Sequence, residues 1–150
     1  MNLNKIVLGL VILSSLAAAP VFGETLVSVR VEGIKQMPGE VGIAVYHQPQ
    51  GYPTHLEQAY ETEWIPLKTE METVTAEFDS LEPGEYALSV LHDTNGNRQV
   101  DRSLLGFPKE GVGFSNNCRV YLSAPKFKNC KFTLAEGEKK KITIRLEYQN

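Results

Sequence analysis

In VSVRV (residues 27–31) and again in VTAEF (residues 74–78), every second residue is apolar and its neighbours are polar or charged. An extended chain sends successive side chains to opposite faces, so this pattern buries one face and wets the other. It suits a half-buried strand and no helix. Comparable stretches recur at Leu26–Ile34, Val41–Tyr46, Trp64–Thr69, Val74–Leu81, Tyr86–Val90, Phe127–Leu134 and Ile142–Tyr148. They predict seven strands.

The connections support this. Pro83-Gly84 suits a tight turn, and Glu136-Gly137-Glu138 suits a hairpin between the last two strands. In Thr54–Glu61, Thr54 stands three residues before Glu57, the spacing of a capping box, which predicts one short inserted helix. There is no internal repeat. The expected fold is all-β: a single seven-stranded β-sandwich, immunoglobulin-like or transthyretin-like, with a long ordered loop.

The first 23 residues read differently. Lys5 precedes an apolar run, Ile6–Leu16, and small residues end at Gly23. That is the pattern of a signal peptide, too short to span a bilayer comfortably. Residues 24–150 are then the mature β-sandwich domain, periplasmic or secreted, without a membrane anchor. Losing Lys5 takes the formal net charge from −3 to −4, and a mildly acidic surface argues against a nucleic-acid partner. The two cysteines, Cys118 and Cys130, read as a disulfide in an exported chain. For a loop of this size the staple is worth about 3 kcal/mol.

Between Thr94 and Asn117 the alternation stops, yet Val100, Leu104, Leu105, Phe107, Val112 and Phe114 are too apolar for a solvated tail. An ordered loop of this length needs fastening. Cys118 holds its far end. At its near end lies HDTNGNRQVD (residues 92–101), with oxygen-bearing side chains at alternating positions. Loop calcium sites draw six to eight oxygens from such positions. With Asp93 first, Asn95 and Asn97 fall third and fifth. The Gln99 carbonyl falls seventh, Val100 faces the core at the eighth place, and Asp101 is ninth. Arg98 stands where such loops have glycine, and Leu104 stands where they have a bidentate glutamate. Glu110 is the candidate to replace that carboxylate. A site with so few carboxylates would bind Ca²⁺ weakly, roughly in the 0.1–1 mM range. The competing reading is a turn whose Asp and Asn side chains bond their own backbone. Sequence leaves both open.

The run HDTNGNRQVD, followed by Leu105-Gly106-Phe107-Pro108-Lys109-Glu110-Gly111-Val112-Gly113-Phe114-Ser115-Asn116-Asn117, resembles an exported bacterial family, domain of unknown function 2141. The matching residues are His92, Asp93, Asn95, Asn97, Asp101, Gly106, Pro108, Glu110, Gly113, Phe114, Ser115 and Asn116. Pro125–Tyr148 fits as well. The resemblance implies a sandwich of the expected kind and supplies no activity. The chain departs from the family at Arg98, where glycine is usual, and in its cysteine pair.

Catalytic readings are thin. His47 and His92 each end a strand in phase with its apolar residues, so neighbouring strands could bring them together with Asp93. A transition-metal protein or small hydrolase centred on His92, His47 and Asp93 is the alternative function. His55 is the only other imidazole, and no HxH or HExxH spacing supports a metal centre. A Ser115–His92–Asp93 nucleophilic site lacks the strained elbow that exposes such a serine. Tyr52, Tyr60 and Trp64 surround the inserted segment, as a surface for a protein or glycan partner or as cover for the core. The reading that results is an exported, non-enzymatic β-sandwich with a possible structural Ca²⁺ loop supporting a binding surface.

Overall fold

The computed structural model describes residues 23–35, 38–68, 70–121 and 123–149. Residues 1–22 of the predicted 23-residue leader, and Thr69, the predicted end of the third strand, lie outside them.

The described chain is mostly β, with eight strands rather than seven: β1 Leu26–Glu32, β2 Glu40–Tyr46, β3 Glu61–Pro66, β4 Thr73–Phe78, β5 Gly84–Asp93, β6 Gly111–Phe114, β7 Phe132–Leu134 and β8 Lys139–Arg145. One sheet has the order β4-β1-β8, and the other β3-β2-β5-β6 with β7 also paired to β5. Strands β1 and β8 run parallel, whereas the other pairs are antiparallel.

The two sheets share one core. Val27, Val29 and Val31 of β1, Phe78 of β4 and Ile144 of β8 meet Val41, Ile43 and Val45 of β2 and Leu88 and Val90 of β5. The three-stranded sheet has one wet face, which is why β1 and β4 alternate so clearly. The other sheet is buried on both faces. Behind it Ala44, Tyr46, Ala87, Leu91, Val112 and Phe114 form a second cluster, covered by Tyr52, Leu56, Trp64, Val100 and Phe127. Val100 thus packs inward, as its place in the loop suggested.

Three expectations need correction. The inserted helix is a single 3₁₀ turn, Leu56–Gln58, whose N-cap is His55 and which has no side-chain cap. The sixth predicted strand, Phe127–Leu134, does not begin at Phe127, because Phe127–Cys130 forms a helical turn and only Phe132–Leu134 (β7) is extended. Glu136-Gly137-Glu138 is not a hairpin connection. β7 pairs with β5 and β8 with β1, so the segment carries the chain from one sheet to the other.

β6 was not predicted, and it lies where the two sheets meet. Val112 N–H donates to Glu147 O (3.0 Å) and Glu147 N–H to Val112 O (2.8 Å). A methyl group on Gly111 would stand 2.5 Å from the Tyr148 ring, and one on Gly113 2.6 Å from Ile144 Cγ2. These two glycines permit the close approach.

Candidate functional site

β5 ends at Asp93, which is fully buried despite its charge. Its Oδ1 accepts the backbone N–H of Asn95 (3.2 Å) and of Gly96 (2.8 Å), and its Oδ2 accepts that of Arg98 (2.6 Å). A buried carboxylate is tolerated when donors surround it in this way. Two further Asx bonds continue the turn. Asn95 Oδ1 accepts the Asn97 N–H (3.0 Å), and Asn97 Oδ1 accepts the Gln99 N–H (2.8 Å). The amide groups of both asparagines donate to Asp101, at 2.6 Å from Asn95 and 3.1 Å from Asn97.

Glu110 closes the arrangement from the far arm. It is buried, and its Oε1 accepts the Thr94 N–H (3.0 Å) and hydroxyl (3.3 Å). Its Oε2 accepts the Asp101 N–H (3.2 Å). One carboxylate therefore ties the start of the loop to its middle. The substitution of arginine for glycine is accommodated. Arg98 takes a left-handed φ of 55°, the conformation that favours glycine. Its guanidinium makes two bonds to Glu40 (2.8 and 3.3 Å) and covers the Trp64 ring at 5.0 Å. The hydrogen bonds that it donates to Glu40 raise the Arg98 pKa.

The structure thus gathers Asp93, Asn95, Asn97, Gln99, Asp101 and Glu110 into one network. Each asparagine amide is fixed at both ends, its oxygen on a main-chain N–H and its nitrogen on Asp101. Among the described residues there is no group of three or more His, Cys, Asp or Glu side chains placed to hold a metal ion.

The histidines do not converge. β2 and β5 are neighbours, but they are antiparallel, with Val41 opposite His92 and Tyr46 opposite Ala87. His47 follows Tyr46, so it lies about 20 Å from His92 at the strand rise of roughly 3.4 Å per residue. His47 stacks edge-on against Tyr60 at 5.2 Å, and His55 faces Glu57 at 3.1 Å on the surface. His92 is buried, its Nδ1 2.7 Å from Tyr148 Oη and its Nε2 3.4 Å from Pro38 O. Tyr148 Oη also accepts the Lys35 N–H (3.1 Å).

Ser115 is equally committed. Its hydroxyl accepts the Leu88 N–H (2.8 Å) and donates to Cys130 O (2.7 Å). Asn116 Nδ2 donates to Cys130 O (3.2 Å) and Lys131 O (2.9 Å). Asn117 stands in for a strand beside β8, donating to Thr143 O (3.2 Å) and accepting the Arg145 N–H (2.9 Å). Unpaired strand edges invite other chains, and this amide covers one. Cys118 and Cys130 form the predicted disulfide, with Cα atoms 5.8 Å apart. Of the aromatic residues, Tyr52 packs edge-on against Tyr46, Phe114 and Phe127, as cover for the second cluster.

Sequence reasoning missed Glu40, Thr94 and Tyr148, each of which completes a bond to a residue it did identify. Only Arg98 gave a signal, as a charged residue where the turn calls for glycine. No curated protein and no solved structure matches the chain. A family pattern described as an uncharacterized protein conserved in bacteria matches residues 29–143, which span the network, the buried histidine and the Ser-Asn-Asn turn, and the chain belongs to that family, DUF2141.

Proposed function

We propose that this chain is an exported, non-catalytic domain of immunoglobulin-like sandwich type that displays the Asp93–Glu110 loop as a binding surface. One observation carries the reading: Glu110 bonds Thr94 and Asp101 at once, so the loop is held by its own side chains. A preorganised loop loses little entropy when it meets a partner. The commitments of His92 and Ser115 to neighbouring groups support a non-catalytic role. The disulfide and the leader-like first 23 residues support export.

A weak Ca²⁺ site is the second reading, favoured because the Asp93, Asp101 and Glu110 carboxylates all bond groups within the stretch from Thr94 to Asp101. The ion would take oxygens from Asp93, Asn95, Asn97, the Gln99 carbonyl, Asp101 and Glu110. Amide hydrogen exchange in EDTA separates the two. The first reading expects slow exchange at Asn95, Gly96, Arg98 and Asp101 without any cation. Fast exchange in EDTA that Ca²⁺ slows would replace it with the second.

A further inference from the structure

Beyond Asp101 the loop becomes a tight hairpin. Arg102 pairs with Pro108. Ser103 N–H donates to Phe107 O (2.8 Å), and Gly106 N–H to Ser103 O (2.9 Å). The Arg102 guanidinium donates to Gly106 O at 3.0 Å, and Lys109 N–H to Asp101 O at 2.8 Å. At the tip stand Leu104, 107 % exposed, and Leu105, 84 % exposed. Two adjacent leucines in water at the end of a braced turn run against the hydrophobic effect. Arg102 and Lys109 are exposed on the shoulders, and neither has an ion-pair partner among the described residues. Of the acids nearby, Glu110 is buried, Asp101 is partly buried and Glu40 pairs with Arg98, so the exposed charged groups beside the tip are the two basic ones. The tip is therefore apolar with a positive collar on an otherwise acidic protein.

We propose that the Leu104–Leu105 tip inserts into the surface of a bilayer containing anionic phospholipid, while Arg102 and Lys109 meet the headgroups. The proposal rests on the reading of the loop as a display element and names its partner. A lipid surface fits better than a protein. The feature is a narrow convex wedge, and two leucine side chains fall far short of the roughly 800 Å² per partner in a stable protein interface. A fluid bilayer accepts a wedge, and interfacial binding combines buried apolar area with attraction between basic residues and anionic lipid.

Co-sedimentation of the chain from Glu24 onward tests this, since the apolar leader would bind lipid by itself and the two-sheet fold begins after it. The vesicles are phosphatidylglycerol mixed with phosphatidylcholine, and phosphatidylcholine alone. Binding should favour the anionic vesicles and weaken with added salt. Leu104→Asp with Leu105→Asp should reduce it at least tenfold without changing the melting temperature. Arg102→Gln and Lys109→Gln should each reduce it about fivefold, the equivalent of about 1 kcal/mol per basic residue. No binding to anionic vesicles, or binding that the leucine pair does not affect, would overturn the proposal. Slow exchange in the loop with no lipid binding would leave the display reading standing and remove only its partner.

Discussion

Tyr148 Oη lies 2.7 Å from His92 Nδ1, joining residues 56 positions apart and fixing the C-terminal segment over the end of β5. The same oxygen accepts the Lys35 N–H, so one phenol serves both sheets. Tyr148→Phe keeps the ring and removes both bonds. Losing hydrogen bonds of this kind at a buried site costs about 1–3 kcal/mol. Urea unfolding should show this loss, and a variant within a few tenths of a kcal/mol of the parent would show that the pair carries no weight.

Asp93 and Asp101 should differ sharply. Asp93 is buried with three backbone donors, whereas Asp101 is partly exposed and accepts two side-chain amides. Bonds to a charged group are worth about 1.5–3 kcal/mol each. Asp93→Ala should therefore cost at least about 3 kcal/mol, and Asp101→Ala about 1 kcal/mol or less. Equal losses would contradict the arrangement.

Adding one methyl group tests the junction of the sheets. Gly113→Ala would press on Ile144 Cγ2 at 2.6 Å and on the Arg145 carbonyl oxygen at 3.0 Å. Overpacking of this kind costs about 1–3 kcal/mol. For a domain of this size that is a fall in Tm of roughly 3–10 °C. An unchanged Tm would mean that β6 has room to move.

Alkaline pH should loosen the fold. Tyr46 is wholly buried, and its hydroxyl has no hydrogen-bond partner of good geometry among the described residues. Burial pushes its pKa from 10.0 up to about 12, against the opposing pull of the Ser89 hydroxyl. Burial also raises Tyr52, Tyr86 and Tyr148. A raised folded-state pKa stabilises the fold fully below the unfolded value near 10, and that stabilisation is lost as pH climbs through about 12. Tyr46 alone accounts for roughly 2–3 kcal/mol. Unfolding midpoints should be level up to about pH 9.5 and then drop, and Tyr46→Phe should flatten the drop and be neutral or stabilising near pH 7. A level profile to pH 12 would contradict the burial of these phenols.

The parts visible in the sequence were those governed by local pattern. β1 and β4 show their alternation because one face of their sheet is wet, and the Asx spacing marks the turn after β5. β6 was invisible because two of its four residues are glycine, which lowers strand propensity, and its reason for being extended is the packing of Tyr148 and Ile144. His47 and His92 were correctly placed at strand ends, but the direction of a neighbouring strand is not written in either strand. The parallel pairing of β1 with β8 likewise depends on contacts between the two ends of the chain. The family's polar residues look like chemistry in one dimension. In three, Asp93, Glu110, Ser115 and Asn116 satisfy backbone groups that a long loop would otherwise leave unpaired.

The most direct measurement is thermal unfolding of the oxidised chain from Glu24 onward, in EDTA and in about 5 mM Ca²⁺. A loop fastened by its own side chains predicts the same Tm in both. A calcium site with a Kd of about 0.1–1 mM would add about 1–2.3 kcal/mol by mass action, a rise of several degrees. Such a rise, lost in Asp101→Ala, would contradict the self-bonded loop and make the ion its organiser.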